Sequence, residues 1–119
     1  MTTAGHYRRV CQLLEDCGGV RFHDPTDPDA TVYSLRAYRM TPDCGCNDKP
    51  APCHVYVWSR TVELRTFGAP SRPEGGGHCY PWVEVRVTSL PLETFDLPAL
   101  ERAAASLAAV WRAWRGVYP

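Results

Sequence analysis

"HVYVWSRTVELRTF", residues 54–67, decides the fold, because its apolar side chains change phase halfway along. Val55 and Val57 occupy odd positions, whereas Val62 and Leu64 occupy even ones, and one straight strand cannot bring all four to one face. A hairpin centred on Ser59-Arg60 does so, by pairing Val57 with Val62 and Val55 with Leu64 across an antiparallel ladder. The reversal carries neither Gly nor Asn, which predicts a looser four-residue turn or a bulge rather than the tightest hairpin type.

Working outward, "TVYSLRAYRM" (31–40) and "YPWVEVRV" (80–87) alternate with period two, with Tyr33, Leu35 and Ala37 on one side of the first and Val83, Val85 and Val87 inward on the second. "GAPSRPEGGGH" (68–78) reads as a loop by its Gly and Pro content. Upstream, Val20 to His23 is a short strand, and "DPTDPD" (24–29) is a turn rich in local side-chain hydrogen bonds, expected to be solvated. That loop lacks the Gly and the bidentate Glu of a calcium-binding EF-hand.

Helical spacing brackets these strands. Tyr7, Val10, Cys11 and Leu14 form a stripe over 3–17, capped by Thr2 or Thr3 and stopped by Gly18-Gly19. Asp96 caps a final helix whose stripe runs through Leu97, Leu100, Ala104, Leu107, Val110 or Trp111, and Trp114, with Gly116 as its stop. The Ala-rich remainder of this helix, Ala103, Ala105, Ala108, Ala109 and Ala113, reflects high helix propensity or offers a smooth face for self-association. The expectation is therefore one α+β domain spanning 1–119: a two-layer sandwich with an N-terminal helix, a short strand plus a four-strand antiparallel meander, and a C-terminal helix.

Charge narrows the partners. Thirteen acidic and thirteen basic residues cancel, so no global field draws the chain to polyanions. The first residues, with Arg8, Arg9, Glu15 and Asp16, do not form the apolar run of a secretory signal, and no stretch reaches the ~20 apolar residues that span a bilayer. A cytoplasmic protein without membrane contact is expected.

In that reducing compartment the six cysteines argue for thiols or metal before disulfides. The meander brings the end of strand 31–40, the start of 54–58, the end of 62–67 and the start of 80–87 to one edge of the sheet. Cys44, Cys46, Cys53 and Cys79 gather there, with His54 or His78 as substitutes for their neighbours. Four soft ligands fit a structural, tetrahedral Zn²⁺ that pins two turn-rich loops. Unliganded thiols, or a disulfide from Cys44 or Cys46 to Cys53, are the alternatives.

If the valines face the helices, Arg36, Tyr38, Tyr56, Trp58, Glu63, Arg65, Phe67, Trp82, Glu84 and Arg86 face away. Tyr, Trp and Arg are the residues of interface hot spots, and Tyr56, Trp58, Trp82, Arg65 and Arg86 are the expected partner-binding set. The competing reading folds the 68–79 loop or the first strand over this face as a second, minor core. No H-E-x-x-H, nucleotide-binding glycine fingerprint, phosphate loop or nucleophile elbow appears, so no catalytic centre is expected. Compact, neutral, motif-free domains of this size include many inhibitors and adaptors, among them phage-encoded proteins that block host defence. By that analogy the expected function is binding of a protein partner, or self-association. The alternatives are single-stranded nucleic-acid binding on the aromatic and Arg face, and a small zinc- or cysteine-dependent enzyme using Cys79 with His78 or His54.

Overall fold

The computed structural model describes residues 1–38, 52–68 and 83–117. Helix α1 (Thr3–Asp16) is followed by β1 (Val20–Phe22), β2 (Thr31–Ser34), β3 (His54–Val57), β4 (Thr61–Gly68), β5 (Val83–Pro91) and helix α2 (Leu97–Val117). The strands form one antiparallel sheet in the order β1-β2-β3-β4-β5, the α+β arrangement expected.

The hairpin at its centre has the register that the phase change demands. Val57 pairs with Val62 and Val55 with Leu64, and the chain reverses through Ser59 and Arg60, with Trp58 N donating to the Thr61 carbonyl at 2.9 Å. All four apolar side chains are fully buried, together with Tyr33 and Leu35 from the β2 segment. Against them α1 lays Val10 and Leu14, and α2 lays Leu100, Ala103, Ala104, Leu107 and Trp111. Both helices thus cover the same sheet face. Of the pair left open for α2, Trp111 enters the core and Val110 is 45% exposed.

Caps follow from local chemistry. Thr2 Oγ1 accepts from Gly5 N at 3.0 Å and Asp96 Oδ1 from Ala99 N at 2.9 Å, each satisfying a donor that the first helical turn leaves unpaired. Gly18, at φ 82, ends α1 in the left-handed conformation that costs glycine least. A long-range tie fixes α1 to the β5–α2 connection: the Arg9 guanidinium donates to the carbonyls of Phe95, Leu92 and Glu93 at 2.6, 3.1 and 3.2 Å.

Three boundaries differ from the sequence reading. Strand β2 stops at Ser34 instead of running to 40, and the chain turns at 36–37. Strand β5 runs past Val87 to Pro91, because a bulge between the Val62 and Leu64 pairings lets Val87 and Leu90, three residues apart, both pack on the core side. Ser89 sits there at φ 63. Helix α2 continues through Gly116 to Val117. No helix among the described residues is long and apolar enough to cross a membrane.

Candidate functional site

The sheet face without helices is built from the alternate residues of each strand. Register aligns Phe22, Val32, Tyr56 and Glu63 in one row and Ser34, His54, Arg65 and Arg86 in the next. The leading sequence reading leaves this face open, against the alternative of cover by the 68–79 loop or the first strand, and here the structure differs from the leading reading. Tyr56 is only 2% and Arg65 only 4% exposed.

What covers them is the 24–30 turn. Asp24 Oδ1 accepts from the backbone N and the hydroxyl of Thr26, at 2.9 and 2.7 Å, which holds the turn closed and leaves Oδ2 to accept from the Tyr56 hydroxyl at 2.6 Å. Asp27 Oδ2 meets Arg65 NH1 at 2.8 Å, while Glu63 takes the Arg65 Nε. Burial works against the Arg65 charge, but its hydrogen bonds to Asp27 and Glu63 outweigh that and lift its pKa above the ordinary arginine value. The hydrogen bond from Tyr56, with those from Thr26, holds the Asp24 carboxyl down to about 2. Desolvation and the same Asp24 contact push the Tyr56 phenol up.

Arg86 remains accessible, its side chain 48% exposed, bonded to Glu84 and 4.0 Å from Glu63. Trp58 is half-buried just beyond the end of β3. Trp82 lies outside the described residues. Of the five residues expected to touch a partner, Tyr56 and Arg65 are thus structural. The DPTDPD turn, read as solvated, supplies their partners. No local signal foretells that, since Asp24 and Tyr56 are distant in sequence.

The cysteine-rich stretch divides in a similar way. Cys44, Cys46, His78 and Cys79 lie outside the described residues. Cys53 is 1% exposed and belongs to the apolar core on the helix side, where burial pushes its thiol up to about 12. His54 projects from the opposite face, between the rings of Phe22 and Phe67 at centroid distances of 4.6 and 4.9 Å. Its Nδ1 is buried with no hydrogen-bond partner among the described residues, and desolvation lowers its pKa. Among the described residues no three His, Cys, Asp or Glu side chains converge as a metal site. Cys11 and Cys17 are half-buried thiols of α1 and its C-cap.

Among the described residues an open depression lies on this face. It encloses about 350 Å³ beside β1, lined by Val20, Phe22, Ser34, Arg36 and His54. Val20, at its rim, is 57% exposed. The sequence reading names none of Val20, Phe22 and Ser34 as partner-contacting, because β1 is too short to show a phase and Ser34, at the end of β2, is a small polar residue without hot-spot character. Comparison of the chain with protein-family models, with curated proteins and with solved structures finds no match.

Proposed function

We propose that this protein is a non-enzymatic binding module, an inhibitor or adaptor, that takes an apolar side chain of a protein partner into the depression beside β1. The observation that carries this reading is the pairing of a concave site with an exposed valine on the face that neither helix covers. The apolar side chains of Val20 and Phe22 suit anchoring of one side chain, and the polar rim of Ser34 and Arg36 suits its orientation. The single-stranded nucleic-acid reading loses support on this face. Tyr56 is not presented for stacking, and Arg65 is engaged by Asp27 and Glu63 instead of phosphate.

A structural Zn²⁺ belongs to the same proposal, held by Cys44, Cys46 and Cys79 with a fourth ligand from Cys53 or His54. Neighbouring strand positions point to opposite sides, so only one of the two serves. Enclosure of Cys53 in apolar packing, against an unpartnered imidazole nitrogen at His54, favours His54.

Val20→Glu and Ser34→Arg, made separately, test the binding site. Each should abolish capture of a protein partner by the immobilised domain while the circular dichroism spectrum stays unchanged. Capture that survives both substitutions refutes the site. Nucleic acid in the eluate that disappears steeply as salt rises would replace the protein reading with the nucleic-acid one.

A further inference from the structure

Among the described residues strand β5 ends the sheet, and its residues 83–87 read VEVRV, a sequence that is its own complement when two copies run antiparallel. We infer that this edge is the contact between two copies of the chain, joined as one continuous sheet about a two-fold axis at Val85. In that register Val85 faces its own equivalent, and Glu84 of each copy lies opposite Arg86 of the other. Opposite charges across an antiparallel pair are stabilising and like charges are not, so the two nearest registers that keep the helices on one side are disfavoured, and the next, centred on Val83 or Val87, lose both charge pairs. Centring on Glu84 or on Arg86 sets each of those residues against itself.

Three further features fit this occupant. Glu84 and Arg86 already lie on one face of the strand, hydrogen-bonded to each other, with the Arg86 side chain 48% exposed. The bulge at Ser89 and the proline at 91 interrupt regular pairing just beyond the self-complementary segment, which limits the contact to 83–87. A two-fold axis normal to the sheet keeps both α2 helices on the same side, and α2 exposes small side chains at Ala105, Ala109 and Ala113 with Val110 45% exposed. The opposite edge lacks this complementarity. Strand β1 has three residues, and self-pairing about its centre would oppose Arg21 to Arg21.

This contact is independent of the depression beside β1, which lies at the other end of the sheet. Sedimentation velocity tests it. The wild-type chain should sediment as a dimer. Glu84→Arg and Arg86→Glu should each raise the dimer dissociation constant on the order of tenfold or more, since both symmetry-related pairs become like-charged. An equimolar mixture of the two variants should recover a dimer, because every cross-strand pair between unlike copies again joins a carboxylate to a guanidinium. The Glu84→Arg/Arg86→Glu double variant should match wild type for the same reason. The mixture also guards against loss of folding, since a misfolded variant gives no recovery while circular dichroism reports the cause. A monomeric wild type, single variants that dimerise unchanged, or folded single variants that fail to recover on mixing each overturn the inference.

Discussion

The guanidinium carbon of Arg65 lies 3.8 Å from the centroid of the Tyr56 ring, and the two stacked side chains end on two aspartates of a single turn, Asp27 and Asp24. Neighbouring strands thereby hold the β1–β2 connection down on the sheet through a charged, part-buried cluster. Breaking a buried ion pair by removing one partner is costly because the other charges stay behind. Arg65→Ala, which strands Asp27 and Glu63, should lower stability by about 3 kcal/mol in urea denaturation. Arg65→Met, which keeps the packing over Tyr56 but not the charge, should rescue only part of it. A loss under about 1 kcal/mol for Arg65→Ala would show that the turn is held by something else.

Acid should loosen the same cluster. The folded-state Asp24 carboxyl sits near 2, below its ordinary 3.8, so the unfolded chain takes up its proton first as pH falls. Its contribution is complete above about 4 and is lost as pH drops towards 2. Stability measured against pH should therefore fall less steeply through this window in Asp24→Asn than in wild type. Identical slopes would remove Asp24 from the acid response.

The hairpin register was legible because burial of four apolar side chains leaves one solution, and period two converts position into face. The same parity correctly put Tyr56 and Arg65 together on the far face. It could not reveal their cover, because an Asp-Pro-rich turn carries no periodicity and its ties to β3 and β4 are long-range. The end of β5 is hidden for a related reason: a bulge breaks the alternation that marks a strand, and Leu90 stands out of phase with Val87 in the sequence. His54 reads as a spare ligand beside a cysteine, and strand alternation, which the sheet bears out, puts it on the face opposite Cys53.

Backbone conformation gives a paired prediction. Ser89 and Gly18 both have positive φ, 63 and 82, yet only one is glycine. Ser89→Gly should stabilise the chain by about 0.5–1 kcal/mol, as relief of left-handed strain exceeds the added freedom of the unfolded chain. Gly18→Ala should cost about 1 kcal/mol although the space around it is open, because the conformation itself is unfavourable to a side chain. Thermal melts of the two variants should move in opposite directions, and a shared direction contradicts the account.

The choice between Cys53 and His54 is decided by metal content and stability together. Cys53 is enclosed among the apolar side chains of the helix-side core, and its carbonyl accepts from Leu35 N at 2.9 Å to extend the β2–β3 ladder. Its role follows from volume. Cys53→Ala should then retain about one equivalent of zinc and lose only about 1 kcal/mol, the cost of a small void in a close-packed core. His54→Ala should release the metal and make the melting temperature insensitive to chelator, as the proposed ligand role of its imidazole requires. The reverse pattern, with metal lost in Cys53→Ala and kept in His54→Ala, assigns the ligand to the core side and requires the cysteine-rich segment to approach from the helices. Wild-type protein with less than about a tenth of an equivalent of zinc, and a melting temperature indifferent to chelation, removes the metal altogether.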